Sequence, residues 1–208
     1  KNETVDANEL LSNVEFFTTQ QLLGRKINVK CQNLSTSCLV FYWGMKQEFP
    51  SLELHNIIFT KDYKNEFEEI FKKKLISDPS IYINISSKME KSHAPSGCEN
   101  WFVMINLPAD VKSINSDVIK KLRELVIFKI SAYLKINIDP LIRVEEMLTP
   151  IDVQKRTGSY NGSLYGENQN SFAAIFNRKK NQDKKLKKLY YVGGTVRPGG
   201  GIPLAAKS

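Results

Sequence analysis

An α+β fold, with a mixed and largely antiparallel sheet and helices packed against it, is predicted by three features of this 208-residue sequence. Five short stretches rich in β-branched and aromatic residues are bounded by prolines and glycines. Two longer stretches carry apolar residues at helical spacing, and strand and helix signals alternate without an internal repeat. With 41% hydrophobic and 25% charged residues, the chain has the content and length to bury a real core.

The strand signals are Cys38 to Trp43, Asn56 to Phe59, Ile81 to Ile85, Trp101 to Leu107 and Leu141 to Leu148, separated by Pro50, Pro79, Pro95, Gly97, Pro108, Pro140 and Pro150. Between them, Tyr63, Phe67, Ile70 and Phe71 recur on one helical face, with Lys64, Glu66, Glu68, Glu69 and Lys72 on the other. A second helix follows a cap at Asn115 or Ser116, with Val118, Leu122, Leu125, Val126, Tyr133 and Leu134 turned inward. Ile119, Ile127, Phe128 and Ile130 widen that stripe, which points to deep burial ahead of contact with a partner or a bilayer surface.

The last twenty residues read as a buried strand, a glycine-rich turn and a helix start. Leu189, Tyr190, Tyr191 and Val192 have strand composition, and five of the eleven glycines follow, at 193, 194, 199, 200 and 201. Gly193 and Gly194 end the strand where side chains would block a close ligand, and Pro198 stiffens the approach. Gly199, Gly200 and Gly201 bare their peptide N–H groups, and Pro203 suits the first helical turn. Bare amides at a helix start favour an anion or an electron-rich carbonyl. The turn has neither the G-x-G-x-x-G order of a dinucleotide fingerprint nor a P-loop, so its spacing alone also fits a tight connection without a ligand.

Composition excludes several classes. No stretch approaches the roughly 18 apolar residues of a membrane span, and the first residues lack the apolar core of a signal peptide. Cys31, Cys38 and Cys98 have no C-x-x-C spacing and read as buried thiols; with only His55 and His93 besides, no metal is expected. Net charge is +8, and the run from Arg178 to Lys188 concentrates it, with seven bases against Asp183. That run reads as a solvated loop or as an attachment to anionic lipid headgroups. Nucleic acid is a weaker third reading, since the run contains no aromatic residue to stack on bases, and no nucleic-acid partner is expected. In a strand, Phe41 and Trp43 share one face and Tyr42 takes the other, so the pair either fills a core or walls an apolar slot.

Gly193-Gly194-Thr195-Val196-Arg197-Pro198-Gly199-Gly200-Gly201-Ile202-Pro203 matches the Gly-Gly-x-x-x-Pro-Gly-Gly-Gly-x-Pro ending of the FAD-dependent carotenoid desaturases, the phytoene dehydrogenases among the amine-oxidase-like flavoproteins. The segments Ser37 to Gly44, His55 to Phe59, Ala94 to Phe102 and Tyr160 to Gly166 resemble the same family. The wording around Gly97-Cys98-Glu99-Asn100-Trp101 is closest to the bacterial branch that acts on neurosporene or hydroxylated carotenoids. The resemblance implies FAD as cofactor, held by Gly193, Gly194, Thr195, Pro198, Gly199, Gly200, Gly201, Ile202 and Pro203, with amides of Gly200, Gly201 and Ile202 facing the ring. It implies a carotenoid substrate in a channel lined by Phe41, Trp43, Trp101 and Phe102, a cytoplasmic location and peripheral contact with a membrane. Carotenoid isomerisation, ketolation or amine oxidation, and a non-catalytic lipid-binding role, remain alternatives.

The resemblance also divides the chain. Residues 1–187 would form the substrate-binding domain, with parts of 1–36 belonging to the FAD domain. Residues 188–208 would supply the closing strand, turn and helix start of that Rossmann-type FAD domain. The G-x-G-x-x-G unit that opens such enzymes is absent, so the chain is expected to be the C-terminal part of a longer enzyme that provides it.

Overall fold

The computed structural model describes residues 3–30, 33–168 and 178–208. Its larger body is a five-stranded antiparallel sheet in the order β3-β4-β5-β2-β6. The strands are β2 (Ser37–Met45), β3 (His55–Ile58), β4 (Ile81–Asn84), β5 (Glu99–Leu107) and β6 (Ile142–Leu148). Helices α2 (Tyr63–Phe71) and α3 (Ser116–Leu134) cover one face. The α+β expectation and all five strand signals are borne out, with ends that differ by one to two residues.

Strand parity sets the core. On the face beneath the helices, Phe41, Trp43, Trp101, Val103, Ile81 and Ile83 meet Leu122, Val126 and Ile130 of α3 and Ile70 of α2. The opposite face carries Val40 and Cys38 under Val153 and Leu164, and then Tyr42, Phe102 and Tyr82 in edge-to-face contact. Arg123 ties α3 to β6 through a forked bond to Glu145, at 2.7–2.9 Å.

Helix α3 starts at the expected cap, where the Asn115 side chain accepts from the Val118 N–H at 2.9 Å. Its stripe is narrower than expected: Tyr133 and Phe128 face solvent. On α2, Ile70 alone of the four apolar residues is fully buried. Tyr63, Phe67 and Phe71 form a ring ladder on its outer side, with centroids 4.8 and 6.1 Å apart. Glu66, expected on the polar face, is instead buried, its carboxylate accepting from the Ser80 N–H and hydroxyl.

A second, smaller sheet pairs β1 (Leu10–Ser12) in parallel with β7 (Leu189–Tyr191). Parallel partners need a crossover connection, and here the whole five-stranded body lies between them in sequence. Helix α1 (Phe16–Leu22) packs Phe16 onto Tyr191, ring centroids 5.0 Å apart. Helix α4 (Pro150–Thr157) opens on a reciprocal Thr149–Asp152 cap, so Pro150 begins a helix as well as ending a strand. The last element is α5 (Ile202–Ala205). Cys38 is buried and its thiol is pushed up to about 11 by burial, whereas Cys98 is only half-buried. Cys31 lies outside the described residues.

Candidate functional site

The glycine-rich turn connects β7 to α5, and its two kinds of backbone polar group are treated differently. Four carbonyls of the strand end and the turn accept from side chains of one flanking loop. Arg178 donates from Nε to the Val196 carbonyl at 2.7 Å and from Nη2 to the Gly194 carbonyl. The Asn181 side-chain amide donates to the Arg197 carbonyl at 2.8 Å and to that of Tyr191 at 3.3 Å. Its amides are largely bare. Among the described residues, none of the N–H groups of Gly194, Thr195, Gly199, Gly200, Gly201 and Ile202 meets a protein acceptor, while the Gly193 N–H donates to Ser208 Oγ.

Gly201 caps α5 at φ +96°, a conformation other residues rarely adopt, and space is open where a side chain would stand. Gly200 lies under the Tyr165 ring, which a side chain at 200 would overlap. Thr195 turns its hydroxyl toward the small sheet, where Oγ1 accepts from the Phe16 N–H at 3.2 Å. The peptide bond before Pro198 is cis, and Pro203 sits in the first turn of α5 as expected.

A cavity of about 360 Å³ opens beside the turn, lined by Gly200, Gly201, Tyr165, Ser35, Thr36 and the Phe67 and Phe71 rings of α2. The same two rings, with Tyr63, line a larger hollow of about 1010 Å³ on the outer side of α2, where Lys64, Glu68, Lys72 and Lys73 share the lining. The four residues expected along a channel divide between the two faces of the sheet. Phe41, Trp43 and Trp101 pack in the core beneath the helices, each at most 2% exposed, and Phe102 sits on the opposite face with Tyr42. Strand alternation brings the first three together and separates them from the fourth.

The basic run is more structured than a solvated loop. Arg178 and Asn181 hold the turn, and the Asp183 carboxylate receives Arg25 in a forked pair, at 2.5 and 3.0 Å, together with the Tyr191 hydroxyl and the Lys185 and Leu186 amides. The Arg25 bond leads the causes that hold the Asp183 carboxyl well below the usual carboxylate range. Burial, and then Asp183, push the Tyr191 hydroxyl up. Lys180, Lys184 and Lys185 face a neighbouring basic cavity of about 470 Å³. Sequence reasoning missed Arg178, Asn181 and Tyr165 as parts of the site; the available signals were the place of the first two in the basic run before the last strand and of Tyr165 in the Tyr160 to Gly166 segment.

Several known proteins are similar to this chain. A 1-hydroxycarotenoid 3,4-desaturase of Flavobacterium sp. (strain P99-3) is 46% identical over 99% of the chain. These relatives are carotenoid desaturases and oxygenases. A 4,4'-diapolycopene oxygenase of Methylomonas sp is 30% identical over 99% of the chain, and a phytoene desaturase of Phycomyces blakesleeanus is 29% identical over 83% of it. The chain spans 43% of the length of the first two of these carotenoid enzymes and 31% of the third. No family model matches. Among the described residues no helix is long and apolar enough to cross a membrane, and no cluster of metal-ligating side chains occurs.

Proposed function

We propose that this chain is the C-terminal part of an FAD-dependent oxidoreductase that desaturates a carotenoid, and that the turn from Gly193 to Pro203 holds the isoalloxazine end of the cofactor. The observation that carries this reading is a row of peptide donors without protein acceptors, in a chain 46% identical to a hydroxycarotenoid desaturase. A flavin ring presents adjacent carbonyl and ring-nitrogen acceptors, so the donor set fits it. The open space at Gly201 lets backbone approach a flat ring, and Gly194, Gly200, Gly201 and Ile202 are the residues that would hold it. When bound, FAD supplies the acceptor for the hydride that leaves the polyene.

The residues of this chain have two tasks. Fixed amides of the turn stabilise negative charge at the acceptor without rearranging. The Tyr165, Phe67 and Phe71 rings line the cavity that meets the turn, and Tyr63 extends that wall outward, so a long apolar chain lies against aromatic faces as it approaches. The channel is thereby assigned to the α2 ladder, since Phe41, Trp43 and Trp101 fill the core.

Residues 1–36 and 178–208 belong with the FAD domain in this reading, because β1 and α1 pack on β7; the sheet body is the substrate domain. The nucleotide tail of FAD is housed by an N-terminal G-x-G-x-x-G part of the complete protein. Lys180, Lys184 and Lys185 face anionic headgroups of a membrane from which an apolar substrate is drawn.

Oxygenation is the second reading, favoured by the relatives of that name at 30% identity. Incubating the complete protein with a 1-hydroxycarotenoid and weighing the product separates the two. Desaturation removes two hydrogens and shifts the visible spectrum to the red, whereas oxygenation adds mass. A complete protein that changes no carotenoid contradicts both.

A further inference from the structure

Four carbonyls of the turn and of the strand before it are engaged from outside the turn. Four consecutive polar reaches come from one short loop: Arg178 to the carbonyls of Gly194 and Val196, and Asn181 to those of Tyr191 and Arg197. The main chain reinforces them, with the Arg197 N–H donating to the Lys179 carbonyl at 3.1 Å and the Tyr191 N–H to that of Asn181 at 2.6 Å. A glycine-rich segment left alone would satisfy its carbonyls with its own amides in local turns. Here the Gly193 carbonyl accepts from the Val196 N–H in that way, while Arg178 and Asn181 take those of Gly194, Val196, Tyr191 and Arg197.

We infer that Arg178 and Asn181 are positioning residues that hold the backbone of residues 191–197 so that the amides of Gly194, Thr195 and Gly199 to Ile202 stay available to a flat ligand edge that presents acceptors. This rests on the reading that the turn receives a flavin, and it adds the residues that hold the turn. Three details assign the role to a guanidinium. Its fork serves two carbonyls at once, which the single ammonium of a lysine does not match in geometry. A side chain at Gly199 would come within 2.8 Å of Arg178 Nη1, so the guanidinium lies directly against the backbone of the turn. Burial lowers the Arg178 pKa, but the value of a guanidinium stays far above neutral pH, so a fixed positive charge stands behind the amides.

The test uses the complete protein with Arg178→Gln, Arg178→Lys and Asn181→Ala. Two readouts are taken: flavin affinity, and amide hydrogen exchange at Val196 and Arg197 in flavin-free protein. Loss of a charge-assisted fork is expected to weaken flavin binding by about 10- to 100-fold in Arg178→Gln. Exchange at Val196 and Arg197 is expected to rise by about tenfold or more in the same variant. Arg178→Lys should recover part of the affinity, because it restores the charge without the fork, and Asn181→Ala should fall between the two. Wild-type affinity and wild-type exchange in Arg178→Gln would overturn the inference, as would a variant that only melts earlier with flavin affinity intact. A wild-type protein that binds no flavin would overturn the flavin reading separately, and the exchange measurement would then decide the role of Arg178.

Discussion

The sheet body and the glycine-rich turn are held together by different physics. In the body, the Phe41 and Trp43 rings stack with centroids 5.3 Å apart and Trp101 packs on Phe49, all under two helices, so stability comes from apolar surface removed from water. The turn buries little beyond Val196, and its shape is held by polar groups of Arg178 and Asn181. The difference teaches where a substitution will act. A change in the body costs folding free energy, and a change in the turn costs ligand.

The strongest way to break this contrast is Phe41→Ala. Removing a fully buried ring should destabilise the protein by about 3–5 kcal/mol, read from a denaturant midpoint. A loss below about 1 kcal/mol would place Phe41 on a hollow and restore the channel expected for it. Next comes Asp183, which joins the two regions of the small lobe through Arg25 and Tyr191. Its folded-state carboxyl value is depressed, so it contributes stability that is present above the unfolded value, near 3.9, and lost as pH falls through the folded value. Asp183→Asn should therefore lower stability by about 1–3 kcal/mol at pH 7, and the gap to wild type should narrow as pH falls below about 4. A gap that stays constant down to pH 2 would show that the ion pair contributes nothing.

The smallest effect on folding sharpens the comparison. Phe67→Ser removes a half-buried ring of the α2 ladder and should cost about 1 kcal/mol or less in stability, while raising the KM for a carotenoid roughly 10-fold or more. An unchanged KM would move the substrate away from α2.

Much of the body was legible in the sequence, because each strand is a β-rich run between breakers and α3 carries a periodic stripe behind an Asn115 cap. The parity of β2 was not. Ser37 to Met45 is apolar on both faces, so the strand itself does not say which face meets the helices; that depends on β5 and α3. β1 was illegible for another reason, since three residues form a strand only by pairing with Leu189–Tyr191 at the far end of the chain. The glycines were read as a turn from their spacing, and the structure has that turn. What the spacing could not tell is which backbone groups stay bare. A run of seven bases looks solvated in one dimension, and only folding brings Arg178 against Gly194 and Val196.

The central claim is that the amides of the turn grip a flavin, and the visible spectrum of the purified complete protein tests it most directly. The expected result is flavin absorbance with peaks in the blue and near ultraviolet, abolished in Gly200→Val with the melting temperature nearly unchanged, because the branched side chain displaces Tyr165 and fills the approach to the turn. A colourless wild-type protein, or a Gly200→Val protein that keeps its full flavin content, would contradict the account.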